Sequence, residues 1–127
     1  MTIEYILPIS VIIPMKRVAD KKVMLNLNDY RNAHHQTLSA AKRVFTPVSG
    51  KLFSANKIRI TYHVEKTTKR KFDTANIVSI VDKYFCDWLV NNGCIVDDNC
   101  DIVSYGGSDG RRDCEQSRVI ARIEIIE

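Results

Sequence analysis

The sequence has four cysteines, but no C-x-x-C pair among them. Cys86, Cys94, Cys100 and Cys114 are spaced too widely for a zinc knuckle, and His34, His35 and His63 supply no matching H-x-x-x-H. That spacing argues against a structural zinc site. Long hydrophobic runs are also missing. The apolar stretch "YILPISVIIPM" is broken by Pro8 and Pro14, is too short for a bilayer, and has no basic segment ahead of it. Neither a membrane anchor nor a signal peptide is expected, and unpaired thiols in such a chain point to the reducing cytosol. No G-K-[ST] follows the glycines from Gly106 to Gly110, so this segment is not a P-loop and no nucleotide cofactor is expected. Internal repeats, low-complexity tracts and linkers are absent too.

What remains is a soluble-type composition. The chain has 127 residues, 45% hydrophobic and 27% charged, which fits one domain, residues 1–127, with a core that needs no disulfide staples. A net charge of +4 permits a polyanionic partner without requiring one.

Periodicity organises the chain into a small α/β domain of the α+β type. Residues 3–13 read as a strand with an edge or bulge at Pro8. A helix is expected over residues 28–45, capped by Asn28 and carrying apolar residues at helical spacing. "KIRITYHVEK" alternates cleanly, with Ile58, Ile60, Tyr62 and Val64 on one face and Arg59, Thr61, His63 and Glu65 on the other. Between residues 74 and 92, Ile77, Ile80, Val81, Tyr84, Phe85, Trp88 and Leu89 recur at i, i+3 and i+4, which predicts a helix stopped by Gly93. A short strand at residues 102–105, a mobile glycine-rich loop "GGSDGRRDCEQ" and a last strand through "RVIARIEII" complete the chain. The expected architecture is a mixed sheet of four to five strands with two helices packed on it.

The segment "RKFDTANIVSIVDKYFCDWLVNNGCIVDDN" carries the candidate chemistry. Asp73 precedes the helix, and Asp97 and Asp98 follow it. If the chain doubles back after Gly93 through a strand at Ile95 and Val96, the later acids approach Lys83 and Asp87. Convergent carboxylates suit Mg²⁺, which takes hard oxygen ligands and keeps waters that bridge to phosphate. A nearby lysine can offset charge developing on that phosphate. Lys66, Lys69, Arg70 and Lys71, with Arg111 and Arg112, would attract a nucleic-acid backbone. The same residues also read structurally: Asp73 as an N-cap, Asp97-Asp98-Asn99 as a turn, and the basic run as a solvated loop.

In order and spacing, this segment resembles the RusA family of phage-type Holliday-junction resolvases. The family pattern is a basic run, D-x-D-N-x-x-K, a helix ending in D-x-L and glycine, and a D-D pair. Here Arg70-Lys71 precede Asp73, Asn76 follows at the family interval, and Asp87, Leu89, Gly93, Asp97 and Asp98 fall in step. The N-terminal "LNLNDYRNAHH" resembles the segment that the family carries after its first strand.

The resemblance implies a homodimeric, Mg²⁺-dependent endodeoxyribonuclease, with Mn²⁺ able to substitute. Its substrates would be four-way junctions and other branched DNA in phage-like recombination or repair, within a host cytoplasm. It assigns Asp73 and Asp98 as metal ligands, with Asp97 or Asp82 assisting, Lys83 at the phosphate, and Lys66, Lys69, Arg70, Lys71, Asn76, Arg111 and Arg112 on DNA.

Two positions depart from the pattern: Ala75 stands at the second aspartate and Ser79 at the lysine. An inserted helical turn restores the lysine as Lys83, whereas Asp82 and Asp97 are the remaining substitutes for the missing carboxylate. Ala75 leaves open a second reading, a non-catalytic DNA-binding or inhibitory protein that has lost a ligand.

Overall fold

The computed structural model describes residues 1–9, 12–14, 22–24 and 45–127. In chain order these form β1 (Thr2–Leu7), β2 (Ile12–Pro14), β3 (Lys22–Met24), β4 (Ile58–Glu65), α1 (Thr74–Asn91), β5 (Val103–Arg111) and β6 (Arg118–Ile125). Strands β1, β6, β4 and β5 make one sheet in that order, while β2 and β3 pair separately. The helix expected over residues 28–45 lies outside the described residues, apart from its end at Phe45. Among the described residues one helix, not two, therefore packs on the sheet. The single strand expected over residues 3–13 is two strands in different sheets. The break follows from Pro8, which has no N–H to offer the ladder and follows the last residue of β1.

The sheet is mixed because β4 and β5 run parallel and are joined through α1, whereas β6 pairs antiparallel with both β4 and β1. Alternation decides which face is covered. On β4, Ile58, Ile60, Tyr62 and Val64 are buried, as the period-two pattern predicts. Tyr5 and Leu7 from β1 and Val119, Ala121 and Ile123 from β6 extend the same face. The helix lays Ile80, Val81, Tyr84, Phe85, Cys86 and Leu89 in the core that these residues share. At Tyr5 the ring of Phe85 lies 5.3 Å away and that of Trp88 5.8 Å away, within the range of favourable tilted and edge contacts.

Across the sheet's other face run charged pairs, including Arg118–Glu65 at 2.6 Å, Arg122–Glu4 at 2.8 Å and His63–Asp109 at 2.7 Å. None of the described helices is long and apolar enough to cross a membrane.

The glycine-rich segment expected as a mobile loop is instead most of edge strand β5, which pairs with β4 as far as Arg111. Its glycines make this possible. The register shifts by one residue between Ile60 and Thr61, where Gly107 adopts φ +119°. A Cβ at Gly106 would collide with the Thr61 hydroxyl, and one at Gly110 would meet the Phe72 ring at 2.9 Å. Strand pairing here depends on backbone approach that only glycine allows.

Candidate functional site

The site is framed by the two ends of α1. At the first, Asp73 takes an extended conformation, φ −89° and ψ 101°, and its Oδ1 accepts the Asn76 backbone N–H at 3.2 Å. This is N-cap geometry, satisfying one of the backbone donors that a helix start leaves without a partner. Ser79 donates its hydroxyl to the Asn76 carbonyl at 3.1 Å. Ala75 is exposed in the first turn, and that turn holds no acidic residue.

Two basic segments meet at this same end. Lys66 N–H donates to the Arg111 carbonyl at 3.0 Å, Cys114 N–H to the Lys66 carbonyl at 2.9 Å, and Asp113 N–H to the Thr68 carbonyl at 2.8 Å. The Arg112 guanidinium donates to the Lys69 carbonyl at 3.0 Å. Lys66, Lys69, Arg70, Lys71, Arg111 and Arg112 thus form one cationic surface, built by the carboxyl ends of parallel strands β4 and β5. Phe72 anchors it, with the Lys66 ammonium 5.5 Å from its ring centroid.

At the second end the helix closes in a Schellman arrangement: Gly93 N–H donates to Val90 and Cys94 N–H to Leu89, with Gly93 at φ +75°. The chain then turns back without forming the expected strand at Ile95 and Val96. Asp97 Oδ1 accepts the Asp98 N–H at 2.8 Å and Oδ2 accepts the Asn99 amide at 3.1 Å, and these donors hold the Asp97 carboxyl below its usual range. Asp98 is shifted the opposite way. Loss of hydration, then the hydrogen bond with Asp97 and the charges of Asp97 and Asp87, raises its carboxyl. The doubling back therefore leaves Asp98 within range of the Asp87 charge.

Beside them, facing the sheet, lies a group that periodicity did not single out. Asp82 Oδ1 accepts from the Tyr62 hydroxyl and, at 3.4 Å, from the Cys86 thiol, while Oδ2 accepts the Tyr105 hydroxyl at 2.7 Å. Burial first, and the Asp82 carboxylate second, push Tyr62, Tyr105 and Cys86 all above their ordinary values. The Asp98 charge adds a smaller upward push on the Cys86 thiol. Two signals in the sequence could have found this network. Tyr62 sits on the buried face of β4, where its hydroxyl needs a partner, and Asp82 and Cys86 are an i, i+4 pair on the helix.

The structure thus places Asp97 and Asp98 in the turn after α1 and Asp82 in the middle of the helix, and separates all three from Asp73. From Asp73 the helix rises about 13 Å to Asp82 and about 21 Å to Asp87, at about 1.5 Å per residue. Lys83 is exposed immediately after Asp82. Asp82, Asp97 and Asp98 form no ion pair among the described residues.

As a donor set for Mg²⁺ the chemistry fits. These are hard carboxylate oxygens, and Asp82 Oδ2, having accepted one hydrogen bond, retains lone-pair capacity. Among the described residues no three His, Cys, Asp or Glu side chains form a ready metal cage. An ion here would rest on one or two carboxylates and be completed by water and phosphate, the usual habit of Mg²⁺. No protein-family model matches the chain, and no curated protein matches it either.

Proposed function

We propose that this protein is a divalent-metal-dependent endonuclease that nicks branched DNA, four-way junctions included. The observation that carries the reading is the placement of charge: Asp82, Asp97 and Asp98, which form no ion pair among the described residues, lie between the middle of α1 and the turn beyond its end, and six cations, also without ion pairs among the described residues, gather at its start. In this reading Asp82 and Asp98 hold Mg²⁺ or Mn²⁺, and Asp97 adds negative potential beside them. The metal supplies activation of water and stabilisation of the leaving oxygen. Tyr62, Tyr105 and Cys86 orient Asp82 as hydrogen-bond donors to a ligand commonly do. Lys83 meets the phosphate, and Lys66, Lys69, Arg70, Lys71, Arg111 and Arg112 hold the DNA backbone, with Asn76 at their margin. The homodimer rests on the family resemblance alone.

Asp73 acts here as a cap, and this assignment departs from the family pattern. Together with Ala75, it favours a second reading, a DNA-binding protein without cleavage. Nicking of a synthetic four-way junction in Mg²⁺ or Mn²⁺, compared between wild type, Asp82→Asn and Asp98→Asn, separates the two. Cleavage by wild type that both variants lose supports the endonuclease. Tight binding with no cleavage by wild type supports the second reading, and no salt-sensitive binding defeats both.

A further inference from the structure

Among the described residues, every aromatic ring but one serves the core: five are buried and three are partly buried against it. The exception is Tyr105, which is 54% exposed and has no ring partner among the described residues. It is nonetheless not a loose surface side chain. Its backbone is fixed opposite Ile60 of β4, and its hydroxyl donates to Asp82 Oδ2 at 2.7 Å and lies 3.9 Å from the Cys86 thiol. A tyrosine held at both ends presents its ring already in place, so a ligand that stacks on it has little ordering to offset.

The surroundings leave that ring open. Strand β5 lies at the edge of its sheet, so no further strand covers its flank among the described residues. Gly106 and Gly107, next in the chain, have no side chains to crowd the ring, and the space where Gly107 would carry a Cβ is open. Charge narrows what can lie there. The ring surface is uncharged, and the Asp82 carboxylate at its hydroxyl disfavours an anion stacked on it. The same strand ends at Arg111, in the surface whose six cations form no ion pair among the described residues. A ligand suited to both is anionic along its backbone and carries neutral planar groups, which describes a nucleic-acid strand with exposed bases.

We infer that Tyr105 is a nucleobase platform, on which one unpaired base of the bound DNA leaves its own stack and lies against the tyrosine ring. A base that is already unpaired costs least to move. The ligand class is therefore DNA with a nucleotide free to unstack, as at a branch point, a bulge or a gap. That this nucleotide adjoins the phosphate at Asp82 rests on the endonuclease reading above; the platform itself requires only that the protein binds DNA.

The test moves a single abasic nucleotide through the branch point of a four-way junction, one position at a time, with affinity measured by fluorescence anisotropy in EDTA. At one position or more, loss of the base should weaken wild-type binding about 5- to 140-fold, the range of base–aromatic stacking. Tyr105→Ala should weaken binding of the intact junction by a similar factor. The abasic position should then cost this variant nothing further, because ring and base make a single interaction. Tyr105→Leu, apolar but without a π-face, should repeat the alanine result, and circular dichroism verifies that each variant is folded. Tyr105→Phe lacks the same hydroxyl but keeps the ring, and should stay closer to wild type on both counts. Abasic positions that cost wild type and Tyr105→Ala alike would overturn the platform, as would Tyr105→Phe binding as weakly as Tyr105→Ala. Nicking in Mg²⁺ that Tyr105→Ala loses, with no abasic coupling, would overturn it while leaving the endonuclease standing. Coupling in EDTA with no nicking by wild type in Mg²⁺ would support the platform and defeat the endonuclease.

Discussion

Asp73 separates two chemistries, because a cap and a metal ligand respond differently to the same substitutions. In Asp73→Ala the Asn76 N–H loses its acceptor at 3.2 Å, at a cost of about 1 kcal/mol. Loss of a carboxylate at the positive end of the helix adds about 0.3 kcal/mol at this exposed position. An unfolding entropy of about 2.1 cal/mol/K per residue over 127 residues converts the total to a Tm loss of about 5 °C. Asp73→Asn keeps an oxygen in the same place and forfeits only the charge, so its Tm should fall by about 1 °C. Nicking should survive in Asp73→Asn, since a carboxylate about 13 Å along the helix from Asp82 cannot reach an ion whose ligands sit at about 2.1 Å. Thermal melts by circular dichroism and the junction assay provide both readouts. Asp73→Asn melting like wild type but unable to nick would refute the reasoning, because it would require Asp73 and Asp82 to work at one phosphate.

Three further outcomes follow from the same geometry. The Asp98 carboxyl is raised in the fold, so its ionisation opposes folding at neutral pH; Asp98→Asn should raise Tm near pH 7 and lose that gain below about pH 3, where the native acid is protonated. Glu65 is shifted the other way, chiefly by the Arg118 guanidinium at 2.6 Å, so the stability from this pair is present above the ordinary carboxylate range and drains as pH falls through the lowered value. Arg118→Gln should cost about 1 kcal/mol by urea titration near pH 7, with the difference closing in acid. Gly93→Ala meets no atom within 4 Å, so the expected cost of about 1 to 2 kcal/mol is purely that of placing a side chain at φ +75°, and Gly93→Asn should recover part of it.

Strand β4 and helix α1 were legible because their periods are strong and local. Ile58, Ile60, Tyr62 and Val64 alternate, Ile80, Val81, Tyr84, Phe85 and Leu89 recur at helical spacing, and both sets are buried. The helix stop at Gly93 was equally readable, since a left-handed C′ residue has a local signature. Strand β5 was not. Its glycines carry no side-chain pattern, and their role appears only against Thr61 and Phe72, which belong to other parts of the chain. The charges divide similarly. The basic run and the acids are plain in the sequence, and so is the capping potential of Asp73. That Asp82 is held by Tyr62, Tyr105 and Cys86 depends on residues brought together from β4, α1 and β5.

By itself, then, the sequence determined which segments become the central strand and the long helix, and which side chains carry charge, because those properties reside in local spacing and residue type. Tertiary structure alone decided that Asp82 is held by Tyr62, Tyr105 and Cys86, and that Asp98 returns toward the end of α1 far from Asp73. The physical reason is length. A straight helix of 18 residues holds its two ends about 27 Å apart, and only the turn after Gly93 and the entry into β5 select which end the later acids rejoin.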